Sequence, residues 1–152
     1  MKYKTPEELI IGKISENRGT QNFMNKSELI KLAQENNIDD VSDKNDKRII
    51  AIKVAEKIGY SELASKASVG VNSYELQKKF GITNNEVKKM ADGGFITVVG
   101  KEQFRLYGKT RYANLYSPYD YFKSEEEVIN WLVENSKKED FRKMIEQYKN
   151  LR

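Results

Sequence analysis

The chain has 152 residues and a formal net charge of +4, with 38% hydrophobic and 33% charged residues, which indicates one compact unit or two very small ones. It contains no cysteine and no histidine, so disulfide bonds, zinc fingers, thiol nucleophiles and histidine bases are excluded. The opening stretch "MKYKTPEELIIGK" lacks an apolar segment of signal-peptide length, and no apolar run reaches 18 residues. We therefore expect a cytoplasmic protein that contacts no membrane.

Residues 1–68 are predicted to be helical. The stretches "TPEELIIGKISEN", "NKSELIKLAQENNI" and "KRIIAIKVAEKIG" each begin near a capping residue and repeat apolar residues at helical spacing. A polar link, "DDVSDKND", separates the second helix from the third, and "YSELASKAS" forms a short fourth helix.

The second and third of these helices, at about residues 26–58, form a recognisable pair. "KSELIKLAQENNID" followed by "DKNDKRIIAIKVAEKI" resembles the SAP or helix-extended-helix fold, which includes the N-terminal domain of Rho-type termination factors. The resemblance implies contact with nucleic acid. The alternative is a hairpin that only packs, and the acidic link favours this alternative.

Residues 69–122 form the unit that carries most of the functional prediction. In "SYELQKKFGITNNEVKKMADGG", capping residues predict one helix over Tyr74–Phe80 and another from Thr83 to about Ala91. The turn between them has about three residues and contains Gly81, which suits a left-handed backbone. This arrangement is typical of a helix-turn-helix.

The apolar residues of this unit define its inner and outer faces. We predict that one small core contains Leu76, Phe80, Ile82, Val87 and Met90. The second helix then presents four polar side chains outward: Asn84, Asn85, Lys88 and Lys89. Asparagine can pair with adenine in the major groove, and lysine can reach guanine or phosphate.

The next segment, "FITVVGKEQFRLYGKTRYANLY", is predicted to form three short strands over 95–99, 104–107 and 112–116, with turns at "GKEQ" and "GKTR". Such a hairpin directly after a helix-turn-helix is a wing. Four cations decorate it: Lys101, Arg105, Lys109 and Arg111. Residues 69–117 contain 8 lysines and arginines against 4 acidic residues, so the surplus positive charge that phosphate contact requires is concentrated here.

The order of these elements, ending in "FRLYGKTRYANLYSPYDYF", resembles the winged helix of the MerR and excisionase superfamily over about residues 72–122. The resemblance implies that Asn84, Asn85, Lys88 and Lys89 read bases or phosphates and that Arg105, Lys109 and Arg111 are wing contacts. One position departs from the family pattern, because Gln77 stands where a small alanine usually lets the two helices approach.

The aromatic residues of the wing and of the segment after it allow two interpretations. They could stack on bases, or they could be core residues, and their alternation along strands favours the core. The set contains Phe104, Tyr107, Tyr112, Tyr116, Tyr119, Tyr121 and Phe122.

Residues 123–152 are predicted to form C-terminal helices. "SEEEVINWLVEN" begins with a serine cap, and "KKEDFRKMIEQYKNLR" places Phe141, Met144, Ile145 and Tyr148 on one face. Packing on the domain is the default role of this last face, and a homodimer or a bound partner is the alternative.

The predicted fold class is mainly α with a small antiparallel β wing. A helical hairpin precedes the winged helix-turn-helix core, and C-terminal helices follow it. The expected function is duplex DNA binding. The arrangement resembles the small DNA-binding proteins of phages and mobile elements, which implies a regulator in a bacterial host cell. The alternative is a phage-encoded inhibitor that binds a host or defence nuclease, such as an anti-CRISPR. We find no phosphate-binding loop, metal cluster or nucleophile–base pair, so we expect no enzyme activity, cofactor or metal.

Overall fold

The computed structural model describes residues 3–16, 24–135 and 146–150. Its described part is mainly helical with one two-stranded antiparallel sheet, which confirms the predicted fold class. In chain order the elements are α1 (Pro6–Glu16), α2 (Lys26–Glu35), α3 (Lys47–Ile58), α4 (Tyr60–Lys66), α5 (Ser73–Phe80), α6 (Asn84–Asp92), β1 (Val98–Leu106), β2 (Lys109–Tyr116), α7 (Pro118–Tyr121) and α8 (Glu125–Glu134).

The N-terminal helices surround α3, because α1, α2 and α4 all pack against it. The helix pair over residues 26–58 is present, and its acidic link is held by lysines from both helices. Lys53 Nζ lies 2.5 Å from Asp40 Oδ2, and Lys26 donates to the backbone oxygen of Asp43. The hydrogen bond and charge of Lys53 hold the pKa of Asp40 below its usual value. The acidic link therefore makes its contacts with the two helices of its own hairpin.

A single buried apolar cluster joins the N-terminal helices, the α5–α6 unit and α8. Leu9, Ile50, Leu76 and Leu132, which come from these parts, are all completely buried. Burying large aliphatic side chains is the main stabilising term in folding. The arrangement of α5 and α6 therefore depends on the helices before and after them.

The predicted wing has two strands and not three. β1 runs unbroken from Val98 to Leu106 and pairs with β2 through a tight turn at Tyr107 and Gly108. The predicted "GKEQ" turn is wrong, because these residues lie within β1. The strand register shifts between Val98 and Gly100. A β-bulge of this kind accommodates a glycine without ending the strand.

The root of the hairpin is attached to the chain just before α5. Val71 forms an isolated antiparallel bridge with Tyr116, with both backbone N–H groups donating at 2.9 and 2.7 Å. A Cβ on the preceding Gly70 would lie 2.5 Å from the backbone oxygen of Tyr116. The close approach of these two segments therefore requires glycine at position 70.

A buried carboxylate ties α7 to the start of the hairpin. Asp120 Oδ2 accepts the backbone N–H of Thr97 at 2.8 Å, and Lys123 Nζ lies 3.8 Å from Asp120 Oδ1. Burial raises the pKa of Asp120 above its ordinary 3.8, although the Thr97 hydrogen bond and the Lys123 charge act in the opposite direction. The folded chain therefore binds a proton at this site at a higher pH than the unfolded chain does.

This shift predicts a pH dependence that Asp120→Asn removes. The Asp120 contribution to the free energy of unfolding should be fully present below pH 3.8, the ordinary value, and should be lost as the pH rises through the folded-state pKa. The free energy of unfolding of the wild type, minus that of Asp120→Asn, should therefore be larger at pH 4 than at pH 7. Urea unfolding of both proteins across this range measures it, and a flat or opposite trend would contradict it.

The C-terminal region is described only in part. Ser124 caps α8 as predicted, since its side chain accepts the N–H of Glu127, and Trp131 of this helix stacks on Phe95. The residues 146–150 are helical, with Tyr148 partly exposed. The predicted face at Phe141, Met144 and Ile145 lies outside the described residues, so the homodimer stays a prediction.

Candidate nucleic-acid interface

The α5–turn–α6 unit forms as its capping residues predict. Asn72 and Glu75 form a reciprocal capping box at the start of α5, and Thr83 and Glu86 form another at the start of α6. Gly81 ends α5 with a left-handed backbone of φ 65°. Each capping side chain satisfies backbone N–H groups that the helix itself leaves unpaired. The local sequence therefore fixes both helix starts and the turn between them.

The inner face of the unit is also as predicted: Leu76, Phe80, Ile82, Val87 and Met90 are all buried. Their burial turns Asn84, Asn85 and Lys88 outward, where all three are exposed, while Lys89 is only half exposed. Glu86 is buried, and its carboxylate accepts the N–H of Thr83 at 2.7 Å. The exposed start of α6 is therefore polar and cationic.

One carboxylate does lie on the outer face of α6. Asp92 is exposed at the C-terminal end of the helix, four residues beyond Lys88 and thus on the same side. The amide and cationic groups occupy the first two turns, and the acidic group occupies the last. Only the N-terminal half of α6 is therefore suited to contact with an anionic ligand.

A chain of side-chain hydrogen bonds links α5 to the start of α6. Gln77 Nε2 donates to Ser73 Oγ at 3.0 Å, and the Ser73 hydroxyl donates to Asn84 Oδ1. Gln77 is half buried, and its bond to Ser73 supports the contact between Ser73 and Asn84. Asn84 is held by α5, while Asn85 and Lys88 have exposed side chains.

The outer part of the hairpin extends away from the body of the protein. Every residue from 103 to 112 is exposed, and we call this segment the arm. Cross-strand partners share a face, so the register places Arg111 beside Phe104 and Lys109 beside Leu106. The four predicted wing cations, Lys101, Arg105, Lys109 and Arg111, are all exposed.

The expectation that most aromatic residues of this region lie in the core is wrong. Phe104, Tyr107, Tyr112 and Tyr119 are exposed, whereas Tyr116 and Tyr121 are buried and Phe122 is half buried. Alternation along a strand predicts a core face only where another layer covers the sheet. No described layer covers the arm, so its alternating aromatic and cationic residues form two open faces.

A polar network that the sequence did not reveal positions the arm. Lys13 Nζ of α1 donates to the backbone oxygen of Gly70 at 2.8 Å and lies 3.2 Å from Glu75 Oε1. Asn72 Nδ2 in turn donates to Glu102 Oε1 of β1 at 3.1 Å. The capping box was visible in the sequence, but its partners lie 30 and 62 residues away. No local signal could have identified Lys13 or Glu102.

This network brings the two predicted contact surfaces to the same end of α5. Ser73, the first residue of α5, bonds to Asn84 at the start of α6. Asn72, its cap, bonds to Glu102 in the hairpin. The start of α6 and the root of the arm therefore both contact the N-terminal end of α5. Glu102, the acidic residue of the hairpin, is held at this junction.

Two further lysines add positive charge on α5. A cleft of about 390 Å³ is lined by Tyr74, Glu75, Lys78, Lys79 and Tyr121. Lys79 Nζ lies 4.4 Å from the centroid of the Tyr121 ring, a cation–π distance. Both lysines belong to the positive charge surplus of residues 69–117. Their position beside this cleft could not be read from the sequence.

The chain matches no protein-family model, no curated protein and no solved structure. Within residues 3–16, 24–135 and 146–150, no three His, Cys, Asp or Glu side chains are grouped so that they could hold a metal ion. In the same ranges, no helix has both the length and the apolar character needed to cross a bilayer.

Proposed function

We propose that the protein binds duplex DNA, with the first turns of α6 in the major groove and the arm on the sugar–phosphate backbone. The observation that supports this most strongly is the position of the arm. Its root and the start of α6 both bond to the N-terminal end of α5, and it exposes Arg105, Lys109 and Arg111. A helix that reads bases beside a cationic ribbon that contacts phosphates is the division of labour expected of a DNA reader.

Within α6, the contacts favour different roles for the two asparagines. Asn84 already accepts a hydrogen bond from Ser73 at its amide oxygen, so we assign it to positioning. Asn85 is exposed, and its amide can pair in a bidentate manner with adenine, while Lys88 can reach guanine or a phosphate. On this proposal, the sequence preference comes from Asn85 and Lys88.

The experiment compares the wild type with Asn85→Ala/Lys88→Ala. A preferred duplex is selected from a random pool, and its affinity and that of a scrambled duplex are measured by fluorescence anisotropy at one salt concentration. We expect the variant to lose about tenfold or more of the preference, since one base contact contributes about 1–3 kcal/mol of discrimination. The control is Lys4→Ala/Lys66→Ala, which removes two exposed cations outside both predicted nucleic-acid modules. Failure of the wild type to prefer any duplex would contradict the proposal.

A second candidate function is a protein-binding role, as a phage-encoded inhibitor of a host or defence nuclease. It is favoured by the exposed apolar side chains of the arm, Phe104, Leu106, Tyr107 and Tyr112, which phosphate contact alone does not require. This role predicts weak, sequence-blind affinity for DNA together with a tight protein complex. Salt-series binding and pull-down with the wild type separate the two functions.

A further inference from the structure

We propose that the tip of the arm, Leu106 and Tyr107, is an apolar wedge that enters the minor groove of duplex DNA and partly unstacks one base step. This inference rests on the proposed DNA-binding function and goes beyond it. A phosphate-binding wing leaves the duplex stacked, whereas an inserted wedge kinks the duplex toward the major groove.

Tyr107 occupies a backbone position that does not suit tyrosine. It has φ 52° and is followed by Gly108 with φ 74°, and Leu106 pairs with Lys109 across the turn. Positive φ at both central residues of a two-residue hairpin turn strongly favours Asn-Gly, Asp-Gly or Gly-Gly. A bulky aromatic residue there is uncommon, and such positions are concentrated at functional sites.

The aromatic side chain of Tyr107 is also almost fully exposed to water. It is 92% exposed, and the neighbouring Leu106 is 46% exposed. Neither the backbone nor the folded core therefore explains an aromatic residue at the outermost point of the arm. A contact made outside the chain does explain it.

The surroundings of the tip indicate a polyanion as the occupant. Arg105 Nη2 donates to the backbone oxygen of Gly108 at 2.9 Å, which ties this cation across the turn and holds the tip in one conformation. Lys109 lies directly opposite Leu106, and Arg111 lies opposite Phe104. Cations flank the apolar tip along both strands, as needed to contact the phosphates on each side of a groove while the wedge enters between them.

Only the outermost side chains of the arm need to enter the minor groove. That groove is about 6 Å wide and about 7.5 Å deep, so it admits inserted side chains, whereas a whole two-stranded ribbon needs the wider major groove. A two-residue turn is the narrowest end that a hairpin can present. Duplex DNA is therefore the occupant to which both the shape and the charge of the tip are complementary.

The test compares the wild type with Tyr107→Asn and Tyr107→Phe. Asparagine suits the left-handed position, so Tyr107→Asn should fold with an unchanged or higher midpoint of thermal unfolding, and phenylalanine keeps the wedge. The duplex is about 30 base pairs long, carries donor and acceptor dyes at its ends and contains 2-aminopurine at successive steps. We expect the wild type and Tyr107→Phe to raise the end-to-end energy transfer and to increase 2-aminopurine fluorescence at one step. Tyr107→Asn should lose both signals and bind about tenfold more weakly, as for the loss of one aromatic–base stack.

The outcomes separate this inference from the proposed function. If the wild type binds duplex DNA, and Tyr107→Asn binds and bends it equally well, the wedge is wrong and the DNA-binding function stands. If the wild type binds only single-stranded DNA, stacking without duplex insertion replaces the wedge. If the wild type binds no DNA while a protein partner protects Tyr107 from chemical iodination, both proposals are wrong and the tip is a protein contact.

Discussion

Replacing Lys109 and Arg111 with alanine should weaken duplex binding roughly 200-fold at 50 mM monovalent salt and roughly 20-fold at 200 mM, if each side chain neutralises one phosphate. Both side chains are exposed on the arm and lie on the same face. Each phosphate contact releases about 0.9 counterion, so the slope of log affinity against log salt should fall by about 1.8. The loss should be similar for preferred and scrambled duplexes, because phosphates contain no sequence information.

Fluorescence anisotropy across a salt series measures this effect, with Lys4→Ala/Lys66→Ala as the control. The control removes the same formal charge from exposed positions near α1 and on α4, so it isolates the position of the cations from the net charge. An equal loss in both double variants would show that binding follows net charge, and the arm would then not be the phosphate contact.

Arg105 is left out of this pair because its guanidinium already bonds to Gly108 within the turn. Its removal would change the conformation of the tip as well as the charge of the arm. Lys101 is also left out, since it lies at the root of the hairpin beside Glu102, which bonds to Asn72. Lys109 and Arg111 therefore give the cleaner measurement of phosphate contact.

The sequence predicts those features of the site that depend on residues close to each other in the chain. The starts of α5 and α6 follow from capping residues within three positions of each other, and Gly81 follows from the left-handed turn. The buried face of the unit then follows from helical periodicity. These interactions all lie within about 20 residues of sequence, so composition and spacing reveal them.

What could not be predicted depends on contacts between distant segments. Gly100 and Lys101 have the composition of a turn, but pairing with Leu115 and Asn114 keeps them in β1. The aromatic residues of the arm alternate as core residues do, yet no described layer covers them. The orientation of the arm depends on Lys13, Glu75 and Asn72, whose spacing in the sequence gives no sign of the network.

Replacing Gly70 with alanine should lower the free energy of unfolding by about 3 kcal/mol, the combined effect of an overpacked backbone contact and weakened hydrogen bonds. The added Cβ would lie 2.5 Å from the backbone oxygen of Tyr116 and 3.0 Å from Val99 Cγ2. A backbone oxygen cannot move aside as a flexible side chain can. The bridge between Val71 and Tyr116 must therefore open, and with it the attachment of the arm.

Urea unfolding measures the loss of stability, and hydrogen exchange at the amides of Val71 and Tyr116 measures the opening of the bridge. Gly100→Ala, in the hairpin itself, is the matched control, because its Cβ would approach no atom closer than 3.6 Å. We expect that control to change the free energy of unfolding by less than about 1 kcal/mol. If both variants were destabilised equally, the close approach at Gly70 would not be the contact that attaches the hairpin to the rest of the protein. The orientation of the arm would then rest on the polar network of Lys13, Asn72 and Glu102.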